Sequence, residues 1–125
     1  MTAKRLLVVD DEPDFRELVR KVAVDLGFAV EEASDAAAFK GAHDTFAPTV
    51  VVVDIVMPEV DGTELVRWMA ERRSTAHIVV VTGYDPKYAE LAKKLGEAMG
   101  LRSILSLTKP VALADLRAAL ESGGR

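Results

Sequence analysis

The sequence predicts an α/β protein, a (βα)5 doubly wound fold in which a five-stranded parallel sheet carries helices on both faces. Three observations predict it. Short apolar runs alternate five times with segments whose apolar residues recur at helical spacing, an order that requires right-handed crossovers and a parallel sheet. Three runs, RLLVVD at 5–10, TVVVVD at 49–54 and HIVVVT at 77–82, lack a polar face, as strands covered on both sides do. The two weaker runs, at 28–32 and 103–107, belong at the sheet edges.

The first strand, 5–10, ends in acid and leads into Asp11, Glu12 and Pro13. Pro13 suits the first turn of a helix extending to about residue 26, with Phe15, Leu18, Val19, Val22 and Leu26 at helical spacing and Gly27 as its cap. The second strand, 28–32, is brief and half polar. Asp35 then caps a helix with Phe39, Ala42, His43 and Phe46 on one face, and Pro48 stops it. Val50 to Val53 make the third strand, which ends at Asp54. The loop IVMPEVDG follows, with Pro58 and Asp61-Gly62 as turn signals, and leads to a helix with Leu65, Trp68 and Met69 inward.

The fourth strand closes on Thr82, with Gly83 and Tyr84 after it. Asp85 as N-cap and Pro86 at the first helical position open a helix with Tyr88, Leu91, Ala92, Leu95 and Met99 along one face. Lys87, Glu90, Lys93, Lys94 and Glu97 make its solvated side, and Gly100 ends it. The last strand, 103–107, leads to Lys109-Pro110, and Leu113, Leu116 and Leu120 mark a final helix before Gly123-Gly124.

Taken alone, Asp54 has two readings: a ligand-binding residue at the C-terminal end of a central strand, or an acid that merely starts a turn. The other strand ends bear on the choice. Asp10, Asp11, Asp54, Thr82 and Lys109 stand at the C-terminal ends of four different strands and converge on one cleft. Three carboxylates there repel one another, and the remedies are a hard divalent cation or protonation. Mg²⁺ fits, because it takes one or two carboxylates and keeps water and phosphate oxygens as its other ligands. A carboxylate beside Mg²⁺ can act as a nucleophile toward phosphorus, a lysine can pair with a phosphoryl oxygen, and a threonine hydroxyl can donate to it.

Bulk properties exclude several alternatives. A chain of 125 residues, half of them hydrophobic, suffices for one domain spanning 1–125 and not for two. A net charge of −4 without basic clusters argues against a nucleic-acid surface. The absence of cysteine excludes disulfides, thiolate metal sites and cysteine nucleophiles. The basic start, MTAKRLLVVDDE, meets acids after five apolar residues, too few for a signal-peptide core or a membrane span, so a soluble cytoplasmic protein is expected. No GxGxxG or GxxxxGK[ST] run is present to hold a nucleotide. His43 and His77 lack a second ligand at metal spacing and read as structural, and Trp68 as core.

In order, LLVVDDEP, VVVDIVMPEVDG, VVVTG and LTKP cover essentially the whole chain, and at these residues it resembles a receiver domain of a bacterial two-component response regulator. The resemblance implies the chemotaxis-receiver fold with flavodoxin-like strand order 2-1-3-4-5. It implies Asp54 as phosphoacceptor, with Asp11, Asp54 and the backbone carbonyl of Val56 as direct Mg²⁺ ligands, Mn²⁺ as a substitute, and Asp10 acting through a metal-bound water. It makes Lys109 the phosphate-pairing base, Thr82 the switch hydroxyl, and the amides of Ile55 and Gly83 donors to the phosphoryl group. The implied partners are a sensor histidine kinase or phosphotransfer protein, then a downstream protein or fused effector domain. A homodimer through the fourth helix, fifth strand and fifth helix is a further implication.

Two departures stand out. Three positions before the lysine, where the family usually carries an aromatic ring that turns inward on activation, stands Ser106. The stretch between Thr82 and Lys109 is also longer than in common receivers, and TGYD…AKKLGEAMGLRSILSLTKP resembles receivers found ahead of cyclic-di-GMP phosphodiesterase domains. Without a ring at 106, output through Tyr84 or through the long fourth helix is one reading, and Tyr84 as a packed loop residue is the other. Two other classes compete. A Mg²⁺-dependent phosphohydrolase needs an acid/base carboxylate two residues after its aspartyl nucleophile, and Val56 is there, which argues against an enzyme beyond slow self-dephosphorylation. A flavin carrier needs a phosphate-cradling loop after the first strand, where Asp10-Asp11-Glu12 would repel phosphate.

Overall fold

The computed structural model describes residues 4–55, 62–83 and 85–122. Strands and helices alternate as β1 (Arg5–Val9), α1 (Pro13–Asp25), β2 (Ala29–Ala33), α2 (Ala36–Phe46), β3 (Val50–Asp54), α3 (Gly62–Glu71), β4 (His77–Thr82), α4 (Pro86–Ala98), β5 (Ile104–Thr108) and α5 (Leu113–Ser122). All four strand pairings are parallel, in the order β2-β1-β3-β4-β5, so the three unbroken apolar runs are the inner strands and the two weak ones the edges. The predicted bounds hold to within a residue or so at each end.

The pleat divides the inner strands into two cores. Leu7, Val9, Val51, Val53, Ile78 and Val80 pack toward Phe39 of α2, Leu65 and Met69 of α3, and Ala89 and Ala92 of α4. Leu6, Val8, Val50, Val52, Val79 and Val81 pack toward Val19 and Val22 of α1 and Leu116 and Leu120 of α5. These twelve strand side chains are fully buried, and at about 1.5–3 kcal/mol each they dominate the favourable side of folding. That rigid slab fixes where the strand ends lie.

Local signals act as their chemistry demands. Asp35 accepts from the Ala38 amide at 2.8 Å and Asp85 from the Lys87 amide at 3.0 Å, each satisfying an orphan donor of the first turn. Gly27 sits at φ +92° after α1, and the Phe28 amide turns back onto the Ala23 carbonyl at 2.9 Å. His77 is buried between Ser103 Oγ and the Ala119 carbonyl, tying the N-terminal end of β4 to α5. His43 bonds Ser74 Oγ at 3.0 Å and meets Trp68 edge to face. Both histidines are therefore structural, and Trp68 packs against the first core from a partly buried position. Among the described residues no helix is long and apolar enough to cross a membrane.

The fourth helix departs from expectation. Its buried side is Ala89, Ala92 and Gly96, while Tyr88, Leu91 and Met99 of the predicted stripe are 49%, 63% and 37% exposed. The reason is the closeness of its neighbours. A Cβ built on Gly96 would stand 3.0 Å from Ile104 Cδ1 and from Leu101 Cδ1, and 3.2 Å from Val66 Cγ1. Only small residues fit at that separation, so the helix turns its larger apolar side chains outward.

Candidate functional site

The C-terminal ends of β1, β3, β4 and β5 meet at one edge of the sheet. Asp10 follows β1 and is fully buried; its amide donates to the Ala33 carbonyl, and its own carbonyl accepts from Arg16 Nη1 at 2.6 Å. Its Oδ1 accepts from the Glu12 amide at 2.8 Å, which fixes the carboxylate's orientation. Asp54 ends β3 and Thr82 ends β4, both buried. The Lys109 amide donates to the Thr82 carbonyl at 2.7 Å, so the lysine is delivered to the cleft by an extension of the sheet ladder.

One ammonium serves three carboxylates. Lys109 Nζ lies 2.9 Å from Asp10 Oδ2, 2.7 Å from Glu12 Oε1 and 3.7 Å from Asp54 Oδ2. Oxygens of Asp10, Glu12 and Asp54 come within 4.8 Å of one another. At such a separation each like-charged pair repels by about 3–4 kcal/mol at an effective dielectric near 20, and a single lysine leaves two negative charges uncompensated. Burial raises the Asp10 pKa above its ordinary value, against the hydrogen bonds from Glu12 and Lys109 that lower it. Burial also presses on Lys109, but its bonds to Glu12 and Asp10 and the charges of Asp10 and Asp54 outweigh it, and its pKa is raised. An all-oxygen donor set, two of its carboxylates buried and the third exposed, with surplus negative charge fits a hard divalent cation.

The structure brings together Asp10, Asp54, Thr82 and Lys109 as expected, and Gly83 stands beside them, where a Cβ would lie 3.4 Å from Lys109 Cδ. It does not bring Asp11. That residue is exposed, and among the described residues Glu12 completes the acidic group in its place. The Ile55 amide is also engaged, since it donates to the Val81 carbonyl at 2.8 Å as the β3–β4 ladder runs out. A phosphoryl oxygen would have to compete with that bond. Ser106 is partly buried in β5 and donates to Glu90 Oε2 of α4 at 3.0 Å, so the serine makes a polar link between the two elements. Val56, Met57, Pro58, Asp61 and Tyr84 lie outside the described residues.

Three neighbours escape a reading by motif. Glu12 was visible only as the third acid of a run. Phe15 lies under the lysine, its ring centroid 4.4 Å from Nζ. Gly62 opens α3 so near the end of β3 that a Cβ on it would come 2.3 Å from the Asp54 carbonyl oxygen and 2.6 Å from Ile55 Cα. A glycine after an aspartate advertises a turn; that the backbone of Gly62 lies against the end of β3 has no sequence signal.

The response regulator receiver domain profile matches residues 6–121. The photosynthetic apparatus regulatory protein RegA of Rhodovulum sulfidophilum is 35% identical over 119 residues, covering 95% of this chain and 62% of that protein. The transcriptional regulatory protein FixJ of Bradyrhizobium diazoefficiens is 34% identical over 127 residues, covering 100% of this chain and 59% of that protein. The chain thus spans about three fifths of these two relatives. The Vibrio cholerae chemotaxis protein CheY4 superposes with a TM-score of 0.81 at 24% identity, covering 97% of this chain and 98% of that one, which shows a common fold.

Proposed function

We propose a function that proceeds from one fact: the chain belongs to the response regulator receiver domain family. It is a phosphoryl acceptor of two-component signalling, and Asp54 is the residue that accepts. The observation that carries this is a buried Asp54 with a lysine ammonium 3.7 Å away and two further carboxylates within 4.8 Å. An Asp54 carboxylate oxygen attacks phosphorus of a phosphohistidine, the P–N bond breaks, and its electron pair stays on the imidazole nitrogen. Lys109 then pairs with a phosphoryl oxygen, and the Thr82 hydroxyl and the Gly83 amide donate to the others.

Asp10, Glu12 and Asp54 are the side chains that would hold Mg²⁺, with Mn²⁺ as a substitute. The backbone carbonyl of Val56 is added by family resemblance, and Asp11 is a second candidate by resemblance alone. When bound, the ion screens the carboxylates and the incoming phosphoryl charge. The site acts as a switch and not as a turnover enzyme, because Val56 offers no acid or base to a leaving group. The donor is a sensor histidine kinase or phosphotransfer protein in the cytoplasm. The receiver of the signal is a downstream protein or a fused effector domain. A phosphorylation-dependent homodimer through α4, β5 and α5 is consistent with exposed Tyr88 and Leu91, and sedimentation of Leu91→Arg against the parent chain tests it.

Acetyl phosphate with Mg²⁺, followed by intact mass, tests the function directly. One phosphoryl adduct is expected, absent in Asp54→Asn and without Mg²⁺. No adduct, or an adduct that survives Asp54→Asn, would contradict the assignment.

A further inference from the structure

The acidic cleft does not treat its lysine evenly. Lys109 Nζ is closer to Glu12 and Asp10, at 2.7 and 2.9 Å, than to Asp54, at 3.7 Å. The two close partners differ in kind. Asp10 is fully buried and already bonded to the Glu12 amide, so it has nowhere else to go. The Glu12 side chain is 62% exposed and can return to water at little cost. Glu12 is also the N-cap residue of α1, yet its carboxylate caps no amide there and is turned to the lysine instead. Phe15 of the same helix offers its ring at 4.4 Å from Nζ. Ring and carboxylate arrive independently at one ammonium.

We propose that Glu12 and Phe15 are positioning residues that dock the Lys109 ammonium away from Asp54, so that a phosphoryl group on Asp54 gains its lysine only by drawing it out of that dock. This rests on the acceptor role of Asp54. The dock sets the threshold of the switch: it steadies the resting site by compensating Glu12 and Asp10, and it competes with the phosphoryl oxygens for the same cation. Glu12 is the arm that lets go.

Two measurements on the whole chain test this, and the first needs no phosphoryl group. The Lys109 ammonium, identified by its loss in Lys109→Met, is expected to give a slowly exchanging ¹⁵Nζ resonance that broadens away in Glu12→Gln. A resonance equally sharp in Glu12→Gln would overturn the dock. The second uses beryllofluoride, a phosphoryl mimic, titrated at several Mg²⁺ concentrations, so that an effect of Glu12 on metal affinity is read separately from its effect on the lysine. Glu12→Gln is expected to tighten beryllofluoride binding by about two- to five-fold, the size of a half-exposed ion pair, and Phe15→Leu to move it the same way. The gain must vanish when Glu12→Gln is placed on Lys109→Met. Unchanged or weaker binding, or the same gain without the lysine, would overturn the proposal. A parent chain that shows the protected ammonium but binds no beryllofluoride and takes no phosphoryl group would instead overturn the acceptor role, and the competition with it.

Discussion

Gly62→Ala is a one-carbon change whose outcome the structure decides. The added Cβ would stand 2.3 Å from the Asp54 carbonyl oxygen, 2.6 Å from Ile55 Cα and 3.0 Å from the Asp54 carbonyl carbon. All three are backbone atoms, so no side chain can rotate aside, and relief to an ordinary contact needs a displacement on the order of 1 Å in a close-packed interior. Overpacking of this kind costs about 1–3 kcal/mol, and the helix-propensity gain of up to about 1 kcal/mol offsets only part of it. At roughly 3–6 °C per kcal/mol for a domain of this size, the melting temperature should fall by several degrees. The strain falls on the backbone of Asp54, the acceptor in the function proposed above, so acetyl-phosphate uptake should slow as well. Gly41→Ala is the control: the residue is exposed on α2 with nothing within 4 Å of the built Cβ, and should gain about 0.5–1 kcal/mol. Thermal melts of the two variants in one buffer decide the matter. Equal shifts, or a Gly62→Ala chain as stable as its parent, would refute the close approach of α3 to β3.

Asp10 has a pKa raised by burial, so the native state holds its proton more tightly than the unfolded chain, and stability contributed by this group falls as pH rises above about 3.8. In chelator at pH 7, Asp10→Asn is therefore expected to melt higher than the parent, with the advantage shrinking as Mg²⁺ is added; cation at 100 times its dissociation constant stabilises the parent by about 2.7 kcal/mol. An Asp10→Asn chain that melts lower in chelator would contradict the surplus of negative charge. His77 and His43 have pKa values lowered by burial, so stability is lost as pH falls through about 6.5, where the unfolded chain takes up protons that the native state does not. Chemical unfolding at pH 7.5 and 5.5 should show this loss, and His77→Gln should reduce it; an unchanged slope would place the acid sensitivity elsewhere. Ser106→Ala removes the hydrogen bond from β5 to Glu90, and a loss of about 0.5–1 kcal/mol is expected in the same assay, with no loss if the bond is not formed in solution.

Much of this was legible in the residues. Four valines ending in Asp54 can hardly be anything but a covered strand, and three such strands force the order of the sheet and bring their ends together. What was not legible depended on distances between elements. The face of α4 was misjudged because apolar periodicity records which side chains are greasy, whereas the gap to Ile104, Leu101 and Val66 selects which are small. Asp11 and Glu12 are adjacent acids, and which of them reaches the lysine follows from backbone direction at the start of α1, a quantity that no count of residue types contains. The role of Phe15 was hidden likewise, since a ring at helical spacing announces packing and says nothing of the cation resting on it.

The hydrogen bond from Lys109 to Asp10 joins residues 99 apart in the chain, the last strand's exit to the first's. Asp10, Asp54 and Thr82 are all present once the first 82 residues have been made, and those residues alone contain the acids without their ammonium. Any folding route that adds β5 last therefore carries the full repulsion of these acids until the end, and closing the sheet relieves part of it. On the roles proposed for Asp54 and Lys109, a chain caught part-way has the carboxylate but lacks the lysine, and so is not yet a finished switch.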